Sequence, residues 1–267
     1  MDTPIIGIDC HAHVTRRGTA LDPLRHSEPE VDVEAADFLA VLEQHGLSHG
    51  VLTAPSFYGL DNSLLLEALQ QSGGRLRGVV NVDPDVDRQL LRQWHDWGVT
   101  GVRFNLLKRN PVPDFSDHRH QALFEFLRSL GWHVELYIES NRFESVAAPL
   151  LQSGVRIVLD HFGSPIEADG RAGRGYRAVL KAVERGDVWV KLSAPYRFPS
   201  QSLSALTDAL ISAGGTRCLV WGSDWPWVSF SRELQYQDCL RWLEDCCPDS
   251  QLRQQILTEN PRIPFRF

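Results

Sequence analysis

The stretch Ile5-Ile6-Gly7-Ile8-Asp9-Cys10-His11-Ala12-His13-Val14 decides how the rest of the chain is read. A short apolar run ends in two histidines spaced two apart, and an extended backbone aims such a pair at one side. An open doubly wound sheet would place a glycine-rich phosphate loop after its first strand, and His-Ala-His stands there instead. The competing architecture is a parallel barrel, in which the C-terminal ends of the strands carry the chemistry.

Outward from that segment, apolar, β-branched runs recur at Ile5–Asp9, Gly50–Thr53, Leu76–Val82, Thr100–Asn105, His133–Ile138, Val155–Asp160, Val188–Leu192 and Cys218–Gly222. Helical spacing fills the intervals at Val33–Gln44, Ser63–Gln71, Val86–Trp97, Gln121–Leu130, Arg142–Gln152, Tyr176–Glu184, Leu203–Ala213 and Glu233–Glu244. Gly46, Gly73, Gly98, Gly131, Gly154, Gly186 and Gly214 are expected to end helices. Eight strands, each followed by a helix, make a (β/α)8 barrel, and 267 residues suit one such domain over 1–267.

Composition narrows the function classes. With 27 Lys+Arg against 34 Asp+Glu the formal charge is −7, which gives a nucleic-acid backbone no basic field to bind. No apolar run approaches the roughly 20 residues of a membrane span, and Met1 to Val14 lacks the pattern of an export signal. Five cysteines (Cys10, Cys218, Cys239, Cys246, Cys247) form no C-x-x-C pair, so they read as core or surface thiols in a reducing cytoplasm. Nothing in the sequence sets the oligomeric state.

Polar residues where the strands run out are the candidates for chemistry: His11 and His13, Arg103 and Asn105, Tyr137 and Glu139, His161, Ser193 and Arg197, and Asp224. Closing the ring brings strand 8 beside strand 1, so Asp224 is expected to meet His11 and His13. His26, His45, His49, His95, His118, His120 and His133 end no strand and read as ordinary structural or surface groups.

These residues sit in five segments, DCHAHV (9–14), GVRFNLLKR (101–109), LDHFGSP (159–165), KLSAPYR (191–197) and WGSDWPW (221–227). In this order they resemble the amidohydrolase superfamily, within the group of 2-pyrone-4,6-dicarboxylate lactonase and related sugar and muconate lactonases. The resemblance implies a distorted amidohydrolase-type barrel and hydrolysis of a lactone. His11, His13 and His161 would polarise the carbonyl, Asp224 would take a proton from water, and Tyr137 would stand at the reacting centre. It also assigns Arg103, Arg109 and Arg197 to substrate carboxylates and places Ser56 in the pocket. Physical chemistry agrees: donors around an ester oxygen stabilise its developing charge, and a fixed carboxylate activates water.

Two imidazoles and a carboxylate can also hold zinc, so His11, His13, His161 and Asp224 are the ligands if one divalent ion binds. The two-metal superfamily site, however, uses a carboxylated lysine or a glutamate on strand 4 and a histidine on strand 5. Here Arg103 and Tyr137 occupy those strands, and a guanidinium carries only donors. The expectation is a reaction requiring no metal, on a small anionic lactone recognised through arginine forks. Ser164, where the group leads one to expect arginine, and Trp227, where it has a polar residue, weaken the case for the pyrone itself. Trp225 and Trp227 are expected to wall the pocket.

Two rivals use the same residues. A metal-dependent decarboxylase or amide hydrolase would share the histidines and Asp224 and would respond to chelation. A non-catalytic carboxylate-binding protein would need the arginines alone.

Overall fold

Parallel pairing runs in chain order through β1 (Ile8–Ala12), β2 (His49–Thr53), β3 (Leu76–Val80), β4 (Val99–Asn105), β5 (His133–Tyr137), β6 (Arg156–Leu159), β7 (Val188–Leu192) and β8 (Leu219–Trp221). The computed structural model describes residues 3–23, 25, 27–108, 111–165, 172–230 and 234–267; His26, Arg109 and Glu233 lie outside them. Between the strands pack α1 (Ala35–Gln44), α2 (Ser63–Gln71), α3 (Arg88–Asp96), α4 (His118–Ser129), α5 (Ser140–Ser153), α6 (Arg174–Glu184) and α7 (Leu203–Gly214), and α8 (Tyr236–Cys246) follows β8. This is a (β/α)8 barrel. No helix among the described residues is long and apolar enough to cross a membrane.

The ring closes at a seam between its first and last strands. Ala12 bridges Trp225 in parallel, the Asp224 N–H donates to His11 O at 2.8 Å, and the His13 N–H donates to Trp225 O at 2.8 Å. Gly222 makes this approach feasible, because a Cβ there would lie 2.6 Å from His11 Cβ. Asp9, wholly buried, locks the same seam by accepting from the Ser223 hydroxyl at 2.5 Å, the Tyr236 hydroxyl at 2.7 Å and the backbone N–H groups of His11 and Ser223.

The first strand begins three residues later than the sequence predicts, at Ile8, and runs through His11. Its register against β2 shifts between Asp9 and Ala12. Such an irregularity re-aims side chains: Asp9 turns to Tyr236 of α8, while Cys10 joins an apolar cluster and His11 reaches Lys191 of β7. The predicted helix-ending glycines hold with one displacement: α7 continues through Gly214, and Gly215 follows at φ 74° and ψ 177°, an extended positive-φ conformation.

Inside the barrel, Ile8, Cys10, Val51, Val79, Val158, Trp189 and Val220 form one apolar layer, plugged by Phe265. That residue belongs to α10 (Arg262–Phe265), which follows α9 (Ser250–Gln254) and a π-helical turn at Gln255–Glu259. The tail thus packs back onto the barrel, and His133 fixes it by donating from Nδ1 to Pro264 O at 2.9 Å. All five cysteines are buried and unpaired by disulfides.

Candidate active site

Above the apolar layer the barrel interior becomes ionic. Arg103 of β4, Glu135 of β5, Asp160 after β6 and Lys191 of β7 are all buried together. The Arg103 Nη2 donates to Asp160 Oδ2 at 2.8 Å and its Nη1 to Ala54 O at 3.1 Å, with Nε 3.5 Å from Glu135 Oε1. Lys191 Nζ donates to Glu135 Oε2 at 2.5 Å and lies 3.2 Å from Asp160 Oδ1. Thr53 adds a hydroxyl donor to Glu135 Oε1 at 3.1 Å. Burial, and at Glu135 the neighbouring Asp160 charge as well, would raise the pKa values of Glu135 and Asp160; Lys191 with His133 and His11 at Glu135, and Lys191 with His11 and Arg103 at Asp160, outweigh this, so both stay lowered, Asp160 strongly. Burial opposes the Arg103 guanidinium too, and Asp160 and Glu135 overcome it.

Over this layer stands Asp224, in the left-handed region at φ 60°; His161 at 49° and Ala194 at 48° share that conformation at the ends of two neighbouring strands. Non-glycine residues held there cost of order 1–3 kcal/mol each and concentrate at functional sites. Asp224 Oδ1 lies 3.3 Å from His13 Nε2 and 3.3 Å from His11 Nε2, the latter out of hydrogen-bond alignment. Its Oδ2 accepts from Arg197 Nη2 at 2.7 Å and Nε at 3.2 Å, and from the Tyr196 hydroxyl at 2.5 Å. Burial would raise its pKa, yet Arg197, and after it the histidines, hold it well below the carboxylate range.

The ring nitrogens facing away from Asp224 set each histidine's proton. His13 Nδ1 is 2.7 Å from Thr53 O and Nε2 is 3.3 Å from Asp224 Oδ1, both acceptors; the shorter contact places the neutral ring's one hydrogen on Nδ1, so Nε2 can hydrogen-bond the carboxylate only when a proton stands between them. His161 Nδ1 pairs with Ser193 Oγ at 2.8 Å, and burial drives its pKa well below the ordinary value, so this ring is neutral. Tyr137 stands edge-on to it with ring centroids 4.8 Å apart.

A cavity of about 380 Å³ opens above these groups, lined among others by His13, Ser56, Arg103, Tyr137, His161 and Arg197, with Asp224 and Asn105. The structure therefore brings together His11, His13, Ser56, Arg103, Tyr137, His161, Arg197 and Asp224, while Arg109 falls outside the described residues. His11 differs in position, lying wholly buried beneath Asp224. Trp225 and Trp227 do not line this cavity. Trp225 belongs to the seam and stacks on Phe38 at 5.6 Å, and the Trp227 indole N–H turns back to Ser223 O at 3.1 Å. Phe57, Tyr196 and Phe230 supply the aromatic wall instead. Glu139 faces elsewhere, accepting from the Lys108 N–H at 2.8 Å and from Arg142 at 3.0 Å.

Sequence reasoning missed Lys191, Glu135, Asp160 and Tyr196. Searching strand ends passes over Glu135 and Lys191, which sit within the strands HVELY and VWVKL. The available signal was an ionisable residue in a β-branched run on the inward parity, because nothing with a charge is buried there without a partner.

Among the described residues, two groups have the donor set for a cation: His11, His161 and Asp224, and His11, Glu135 and Asp160. The second already holds one, since Lys191 Nζ contacts His11 Nδ1 at 2.8 Å, Glu135 at 2.5 Å and Asp160 at 3.2 Å. The first has three potential ligands, but Lys191 donates to the His11 nitrogen that would have to carry the ring proton if Nε2 were a ligand. The fit for a metal at His11 is poor.

The chain is 29% identical over 278 residues to the 2-pyrone-4,6-dicarboxylate hydrolase of Comamonas testosteroni, covering 97% of this chain and 89% of that one. It is 27% identical to the 4-sulfomuconolactone hydrolase of Hydrogenophaga intermedia, covering 96% and 88%. A Pseudomonas putida crystal structure assigned to 2-pyrone-4,6-dicarboxylic acid hydrolysis superposes with a TM-score of 0.91 at 37% identity, covering 99% and 98%. The fold is also shared, at TM-score 0.80 and 20% identity over 98% and 99% of the chains, by a Burkholderia multivorans amidohydrolase crystallised with bound zinc. The amidohydrolase family model matches residues 8–267, and the chain belongs to that family.

Proposed function

We propose that this protein hydrolyses the lactone ring of a small carboxylated substrate, with Asp224 as general base and no required metal. One observation carries the reading: a buried, ionised carboxylate at the cavity floor stands between two imidazole nitrogens on one oxygen and an arginine fork on the other. The water oxygen adds to the acyl carbon while one of its protons passes to Asp224. The ring C–O bond then breaks and the leaving oxygen takes that proton, giving an acyclic acid. His161 and Tyr137 supply donors at the carbonyl, and His13 Nε2, a lone pair 3.3 Å from Asp224 Oδ1, shares the proton while it is held. Arg103, Arg197, Arg109 and Ser56 are the groups proposed to receive the substrate's carboxylates. The relatives named above support this substrate class by what they act on, and a cytoplasmic location fits such an enzyme.

Fixed charge favours metal-free chemistry. Lys191, Arg103 and Arg197 balance Glu135, Asp160 and Asp224, so the layer is compensated by the chain's own residues. A screen of pyrone, muconate and sugar-acid lactones at neutral pH, with and without chelator, tests the proposal. Ring opening that survives chelation is expected; activity abolished by chelator and restored by zinc, or release of CO2, would select the metal-dependent rival.

Arg197 has two tasks here, and its substitution separates them. Arg197→Gln should raise KM for a carboxylated lactone about tenfold or more. Because Arg197 is the largest influence lowering the Asp224 pKa, the acid limb of kcat/KM should also move to higher pH. In the wild type, rate is lost only as pH falls through that depressed value. An unmoved acid limb would disconnect Asp224 from the observed titration.

A further inference from the structure

Lys191 has no exposure and is the partner of three groups at once. Its importance follows from what an ammonium can do: it has donors and no acceptor. At 2.8 Å from His11 Nδ1, in hydrogen-bond geometry, it must give a proton to that nitrogen's lone pair. Asp160 Oδ1, 3.2 Å from the same nitrogen, competes for the opposite arrangement but makes no aligned hydrogen bond. A neutral imidazole has one N–H, so occupation of Nδ1 as an acceptor leaves the hydrogen on Nε2. That Nε2 is buried, without an aligned partner, and 3.3 Å from Asp224 Oδ1.

We propose that Lys191 is a positioning residue that fixes His11 in the Nε2–H form, so that a hydrogen-bond donor rather than a metal-binding lone pair stands beneath the general base. Thr53 O sets His13 the other way, with its lone pair toward the same carboxylate oxygen. The two histidines of His-Ala-His thus have opposite tautomers and different tasks: His11 stabilises negative charge at Asp224 and on the oxygen it activates, and His13 accepts. Burial and the Lys191 charge oppose the His11 imidazolium while Asp160 and Asp224 favour it, on balance raising its pKa. In a protonated ring Nδ1–H would point its hydrogen at the ammonium, and that conflict makes the tautomer a sharp question.

The catalytic meaning of this inference rests on the proposed lactone hydrolysis; the tautomer does not. Side-chain 1H–15N correlation spectra of the histidine-labelled, metal-free wild-type protein, with His11 assigned by loss of its signals in His11→Gln, should show an unprotonated Nδ1 and a protonated Nε2. Protonation at Nδ1, alone or with Nε2, would overturn the proposal without touching the lactonase reading. With a lactone from the screen, Lys191→Met should lower kcat at least a hundredfold and change KM less than threefold. Wild-type kcat in Lys191→Met, or a fall confined to KM, would remove the positioning role. If the screen finds no lactone, the spectra still decide the tautomer.

Discussion

Asp224→Asn should lower turnover about 10²- to 10⁴-fold, the usual worth of a general base, while leaving carboxylated-ligand affinity within a few-fold. Asparagine keeps the size and one acceptor oxygen, so the His13 and Tyr196 contacts have a partner to reorganise around, but the side chain can no longer take a proton from water. The charge that Arg197 pairs with also disappears, and that guanidinium becomes freer to grip substrate. Rate and affinity therefore part company in this variant. Steady-state rates read beside a calorimetric titration check it, and turnover within tenfold of the wild type would leave the proposed mechanism without its base. Retained affinity with no activity in either protein would favour the carboxylate-binding rival.

The second large effect belongs to stability. From sequence, Arg103→Ala is expected to raise KM for a dicarboxylate. The structure adds a prior task, since Arg103 is 5% exposed and neutralises Asp160 and Glu135 from above. Removing one partner of a buried ion pair strands the other and typically costs about 3–5 kcal/mol. At roughly 2–4 °C per kcal/mol for a chain of this size, Arg103→Met should lose about 6–20 °C in Tm. Differential scanning calorimetry at neutral pH measures it. A loss below about 3 °C would mean that Lys191 alone compensates both acids, and the variant's KM would then be readable as a pure substrate effect.

How far the sequence speaks can be judged residue by residue. Alternation of strand and helix, the positions of Ser63–Gln71 and Val188–Leu192, and the meeting of His13 with Asp224 all follow from periodicity and barrel closure. His11 and Asp160 illustrate what does not follow. The family resemblance implied a place for His11 at the substrate carbonyl, whereas in the structure it is wholly buried against Lys191, beside the register shift in β1. Asp160 ends a strand within a recognised motif, yet its role as the counter-charge to Arg103 depends on a residue 57 positions away. Trp225 and Trp227 misled because adjacency to Asp224 along the chain says nothing about direction once the backbone turns left-handed at Asp224 and Trp227.

The seam between β1 and β8 has a consequence for biosynthesis. A ribosome making this chain delivers His13 early and the carboxylate that completes it 211 residues afterwards. On the proposed mechanism, a translation product stopping at Gly222 would hold His11, His13, His161, Arg103 and Arg197 but lack the general base, so hydrolytic capability would appear only once Asp224 had been added and β8 had docked beside β1.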